Sequence, residues 1–225
     1  MSIGVNLKTD FYVAQPDATY VSNIFKLKEP PKMQQKTEEI KAKRFFEQKQ
    51  KELEEEAYRI KKETVSDIIT NHPRKKPEVN VENMAEMIMN ASQETGIDPI
   101  IIAHIAGQES GYTQSCGKNG QGIMQLVSIS IKDMFQRPNY YGGNLKSILN
   151  EYKTPQKLME AAKKDPQLNL TLGAYCFKAK LKLAKGNLLK AFEYYNGSPL
   201  KYSYSKQLES SVENSRKSIR FSNMA

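Results

Sequence analysis

The chain has no tryptophan, two histidines and two cysteines among its 225 residues. Cys116 and Cys176 leave both one disulfide and two free thiols open, so the count does not fix a redox compartment. His72 and His104 stand far from each other and from the cysteines, which excludes the ligand spacing of a zinc site. No metal or organic cofactor is expected. No run of about 18 apolar residues occurs, so no membrane-spanning helix is predicted. Residues 1–23 lack the basic start and apolar run of a secretory leader. A protein acting outside the cytoplasm would then leave by a leaderless route, or sit in a virus particle or a secretion machine. There is also no strand alternation, no internal repeat, and no Rossmann or P-loop fingerprint.

What is present is charge and helix signal. The net charge is +9, with 26% charged and 39% hydrophobic residues. Residues 1–80 hold 16 basic and 13 acidic side chains, leaving +3, and residues 81–225 hold 18 and 12, leaving +6. A basic surface favours anionic partners such as nucleic acid, anionic lipid or the bacterial wall.

Four regions follow from composition. Residues 1–31 form an irregular tail interrupted by Pro16, Pro30 and Pro31. Residues 32–72 read as a charged helical arm without glycine or proline, with i,i+4 pairs such as Glu55–Arg59. Phe46, Leu53 and Ile60 recur at seven residues, a thin coiled-coil signal that leaves a protein partner for the arm open. Residues 73–80 form a breaker-rich linker. Its basic triplet Arg74–Lys76 reads as solvated charge, and no nucleic-acid partner is expected from it. Residues 81–221 form one mainly α domain.

In that domain Met84, Met87, Ile88 and Ala91 follow helical spacing, and Gly96 ends the helix. Asp98-Pro99 starts a helix apolar all round, closed by Gly111. A glycine-rich loop with Gly117, Gly120 and Gly122 precedes a helix expected from Ile123 to about Phe135. Residues 136–156 read as mixed, with an exposed loop at Tyr140–Gly143. Asp165-Pro166 starts a long helix, Asn187 caps another, and Tyr204, Leu208 and Val212 mark the last.

The candidate chemistry lies at Glu109. An apolar helix with a carboxyl at its C-terminal end both desolvates that carboxyl and sets it at the negative end of the helix dipole. Each effect raises its pKa towards that of a general acid working near neutrality. His104, on the same helix, reads as a core histidine, and Cys116 as an inert thiol.

Four blocks then occur in order: Glu109-Ser110-Gly111-Tyr112, Gly122-Ile123-Met124-Gln125-Leu126, Asn169 to Gly173, and Tyr195-Asn196-Gly197. Together they resemble the soluble lytic transglycosylases, of which goose-type lysozyme is a distant relative. The resemblance covers roughly residues 81–215. It implies a mainly α, lysozyme-like catalytic domain carrying an N-terminal charged helix. It implies cleavage of peptidoglycan glycan strands at the β-1,4 bond between N-acetylmuramic acid and N-acetylglucosamine, leaving 1,6-anhydro ends. It assigns Glu109 as catalytic acid and base, Gly122, Met124 and Gln125 to the loop lining the groove, and Asn169 and Gly173 to a structural block. Tyr195 matches a groove tyrosine able to bond the catalytic carboxyl, Asn196 its neighbour, and Ser115 a substrate-contacting serine. A hydrolytic variant would need a second carboxylate; Asp133 lies 24 residues after Glu109, where a fold can bring it close, and Glu193 in the last block reads as part of a solvated helix face. A second reading keeps the fold and drops the chemistry: a glycan-docking or assembly module of a phage particle or secretion apparatus.

Overall fold

The computed structural model describes residues 32–114, 117, 120–197 and 202–222. Its described residues are almost entirely helical, as expected: α1 (Lys32–Asn71), α2 (Val81–Thr95), α3 (Pro99–Ser110), α4 (Ser128–Gln136), α5 (Pro138–Tyr141), α6 (Leu145–Tyr152), α7 (Pro155–Ala162), α8 (Pro166–Leu183), α9 (Leu188–Asn196) and α10 (Tyr202–Ser222). None of these helices is long and apolar enough to cross a membrane. The one β-bridge among the described residues pairs Gln121 with Leu126.

The chain divides after Glu52. Residues 38–52 of α1 are exposed on every side. They are stitched by surface pairs, Lys41–Glu38, Lys43–Glu47 and Lys49–Glu52, which water screens. Phe45 and Phe46 touch edge to face yet stay 60% and 70% exposed.

From Leu53 onward the same helix belongs to the larger unit. Val65 and Ile69 are fully buried and join the core with Met84, Ile88 and Ile102. Lys62 bridges Glu82 and Glu86 of α2 at 2.7 Å each. The charged helix expected over 32–72 is therefore continuous in backbone, while its last turns form part of the core. The thin apolar pattern there reflects one short buried stripe, because Leu53 itself is 70% exposed.

The caps follow the sequence. Asn80 accepts from the Asn83 amide, Asp98 from Ile100, Asp165 from Leu168 and Asn187 from Lys190, each satisfying an amide that the helix leaves unpaired. Asp98 also takes two bonds from Arg216, tying the start of α3 to α10.

Two apolar clusters share α8. Leu170, Ala174 and Phe177 face α1, α2, α3, α9 and α10, whereas Leu168, Leu172 and Tyr175 face α4 to α7. Two local expectations are corrected. Residues 138–141 and 145–152 are helical, and Tyr141 and Leu145 are buried there, so the aromatic pair belongs to the second cluster, and the exposed part of the expected loop is confined to Gly143 and its neighbour Asn144. The helix expected from Ile123 starts only at Ser128. Gly122 (φ +73°) and Gln125 (φ +48°) are left-handed, which turns the chain back before α4 can begin.

Two stability outcomes follow. Ile69→Ala should cost about 3 kcal/mol, whereas Phe46→Ala should change stability by less than about 0.5 kcal/mol, read from denaturant unfolding of the full chain. His104 is buried, and burial first, then the charge of nearby His72, lowers its pKa from 6.5 to about 4, against the pull of Asp98 and of the Ser211 backbone carbonyl, which accepts from the ring. Below pH 6.5 the unfolded chain takes up a proton that the folded chain refuses, so stability should fall by about 3 kcal/mol between pH 6.5 and 4. His104→Gln should flatten that segment of the melting-temperature profile; an unchanged slope would assign the acid sensitivity to other groups.

Candidate active site

Residues 100–107 of α3 are buried, so apart from His104 this helix can present polar chemistry only at its ends. Its C-terminal end is Gln108-Glu109-Ser110, closed by Gly111 at φ +63°. A side chain at Gly111 would put its Cβ 2.0 Å from the carbonyl oxygen of Arg74, so only glycine fits. Ser110 turns its hydroxyl back onto the Ala106 carbonyl and accepts from the Thr113 amide, which satisfies buried groups just past the cap.

The linker of residues 73–80 is a strap across this helix end. The Arg74 guanidinium donates to the carbonyl of Gln108, and the Lys76 amide donates to Gly111 O at 3.3 Å. A cation on the last carbonyls of a helix is favourable because their partial negative charges converge there. His72 packs beside Gly107 and meets the Tyr112 ring edge to face at 5.5 Å. Arg74 thus makes a specific contact that composition alone had read as solvated charge.

Glu109 is half-buried, and the Tyr204 hydroxyl from α10 donates to its Oε1 at 2.5 Å. Burial first, then the Glu109 charge and this hydrogen bond, push the Tyr204 phenol far above its ordinary range, while the Arg74 charge opposes them. Tyr204 is therefore a neutral donor at any working pH. The resemblance had given the bond to the carboxyl to Tyr195. In the structure Tyr195 donates instead to the carbonyl of Met124 at 2.9 Å. Its phenol is also raised, by burial first and then by Cys176, Glu109 and Tyr204. The i, i+4, i+8 spacing of Tyr204, Leu208 and Val212 predicts that Tyr204 faces inward; nothing in that spacing names the carboxyl it meets.

The glycine-rich segment is a tight turn, closed by reciprocal 2.9 Å bonds between Gln121 and Leu126. Asn169 of α8, fully buried, locks it. Its carbonyl oxygen accepts from the Met124 amide at 2.8 Å, and its amide donates to Gln121 O and Ala162 O at 3.1 Å each. Gln114 adds a second clamp, accepting from Ile123 N and donating to Ala162 O. A Cβ at Gly122 would lie 2.1 Å from the Asn169 amide nitrogen, and one at Gly173 would lie 2.4 Å from Met124 Cβ.

The expected site residues are therefore placed unequally. Met124 is fully buried against Gly173 and packs as core, with only its backbone serving the turn. Gly122 lies buried under Asn169. Gln125 is partly exposed, and its amide donates to Gly122 O at 2.8 Å. Asn196 is partly buried at the end of α9. Ser115 and Cys116 lie outside the described residues. Cys176 is a free, buried thiol, pushed up to about 12 by burial. Asp133 accepts two bonds from Arg137 and one from the Tyr141 hydroxyl at 2.5 Å.

A mainly α scaffold with one carboxyl at the end of an apolar helix, held by a tyrosine, has the lysozyme-like architecture. The model of the transglycosylase SLT domain matches residues 86–217, and the chain belongs to that family, whose activity is of the lytic transglycosylase type on peptidoglycan. No curated protein and no solved structure matches the chain. The matched span includes Glu109, the turn, Asn169, Tyr195 and Tyr204. It leaves out Val65, Ile69, His72 and Arg74.

Tyr204→Phe should lower turnover of peptidoglycan about tenfold to a hundredfold with little loss of stability, since it removes one hydrogen bond to a carboxylate. Asn169→Ala should instead cost about 2 kcal/mol of stability, because it strands the buried Met124 amide and takes one of two donors from each of Gln121 O and Ala162 O. Turbidity clearance of purified wall and denaturant unfolding separate the two effects.

Proposed function

We propose that the protein is a lytic transglycosylase that cleaves the N-acetylmuramic acid–N-acetylglucosamine β-1,4 bond with Glu109 as its single acid and base. The observation that carries this reading is the Tyr204–Glu109 pair at the end of an apolar helix, within the matched span. Glu109 protonates the leaving glycosidic oxygen as the bond to the muramyl C1 breaks. The neighbouring 2-acetamido group stabilises the oxocarbenium-like centre, in the manner of substrate-assisted glycosidases. Glu109 then takes the proton of the sugar's own 6-hydroxyl as that oxygen bonds C1, which gives the 1,6-anhydro ring. Tyr204 holds the carboxyl oriented through both steps.

The state of Asp133 supports this route over hydrolysis. Burial works to raise its carboxyl, but Tyr141, Arg137 and Lys180 outweigh it and keep the group below its usual range. A carboxylate tied at both oxygens is poorly placed to activate water. The rival docking module has no need for a phenol aimed at Glu109. The basic chain, at +9, suits the anionic wall, reached in the periplasm, from outside the cell or from a virion.

Mass spectrometry of purified peptidoglycan digested by the wild type and by Glu109→Gln tests the proposal. Anhydromuramic ends from the wild type, with the rate reduced about a thousandfold in Glu109→Gln, are expected. Reducing muramic ends would make the enzyme a hydrolase and turn attention to Asp133. Near-normal turnover by Glu109→Gln would remove the assignment.

A further inference from the structure

The two helices that hold the catalytic pair continue into a second feature. Gln108 precedes Glu109 on α3, and Gln207 follows Tyr204 by one turn on α10. From this end a groove of about 710 Å³ runs between α10 and the C-terminal half of α1, with His104 on its floor and Ser211 and Ser215 along one wall. The α1 wall carries Glu56, Glu63 and Asp67. The cation Arg59 on that wall is held between Glu56 and Glu63, at 2.5 and 2.7 Å.

Charge and length narrow the occupant. Both histidines of the groove have lowered pKa values, His72 through burial and then Arg74, so they are uncharged near neutrality. The floor is a neutral hydrogen-bonding surface, and the α1 wall is acidic on a chain whose net charge is +9. Such a trough repels polyanions and suits a peptide with a free amine. From Gln207 to Ser218 the α10 wall spans about 16 Å at 1.5 Å per residue. An extended peptide of four or five residues spans about 13 to 17 Å.

We infer that this groove binds the stem peptide of the peptidoglycan strand under cleavage, with the side-chain amine of its diamino acid against Glu63 and Asp67. The inference rests on the peptidoglycan reading above. The peptide leaves the muramyl lactyl group beside Glu109 and enters past Gln108 and Gln207. Its third residue, the diamino acid, then lies about 10 Å along, or about seven residues of helix rise from Asn71, between Asp67 and Glu63. Specificity for peptide-bearing strands is thus supplied by a helix outside the matched family span.

The test compares kcat/KM on length-matched glycan strands that carry tetrapeptides, on the same strands stripped by an amidase, and on strands whose side-chain amines are acetylated. The wild type should prefer intact over stripped strands about tenfold, and acetylation should remove most of that preference. In the double variant Glu63→Gln, Asp67→Asn, checked for an unchanged melting temperature, the ratio of intact to stripped should fall to about twofold or less. If that variant does not fold, Ser211→Phe, which fills the groove from α10, should lower the ratio in the same way. Equal rates on intact and stripped strands by the wild type, or a preference that survives acetylation and the substitutions, would overturn the inference and leave the transglycosylase reading standing. Failure of the wild type to cut any strand would overturn that reading, and this inference with it.

Discussion

Asn169 has no exposed surface, and its carboxamide bonds Met124 N, Gln121 O and Ala162 O at once. A buried amide that loses its partners costs several kcal/mol, so the turn at residues 121–126 is held in one arrangement. The turn lies where both apolar clusters meet: Ile123 and Met124 belong to one, Leu126 to the other. Tyr195, which packs against both clusters, closes the arrangement by donating to Met124 O. The placement of the turn against α7 and α8 therefore rests on one side chain of α8. Precise geometry at a reacting group needs this kind of rigid support.

The family domain is completed from outside its matched span. Val65 and Ile69 extend the core with residues of α2 and α3, and Arg74 and Lys76 fasten the end of α3. Removing such a strap would uncover apolar surface and leave the last carbonyls of α3 to water, next to Glu109. Residues 38–52 of α1, exposed on every side, do none of this.

Much of the fold was legible because it is written locally. Asp98-Pro99, Asp165-Pro166 and Asn187 start helices as their cap chemistry predicts, and Gly96 and Gly111 stop them with left-handed backbone. The position of Glu109 at the end of an apolar helix was legible for the same reason. What escaped was long-range. The helix expected from Ile123 failed because apolar spacing does not register the left-handed backbone that Asn169, 44 residues beyond Gln125, fixes in place. Met124 read as groove lining because its block places it beside glycines; only the packing of α8 shows that Gly173 makes room for it. Tyr204 and Arg74 meet the catalytic end from 95 residues after Glu109 and from 34 before Gln108, distances at which no spacing rule operates.

The glycines at 122 and 173 leave no space for even a methyl group, one under Asn169 and the other under Met124. Variation in this part of the molecule is thereby channelled. A chain that keeps the turn must keep both positions, so variation around it falls to the partly exposed neighbours, Gln121 and Gln125. The rigid frame and its exposed rim occupy different residues, and one can diverge while the other stays fixed.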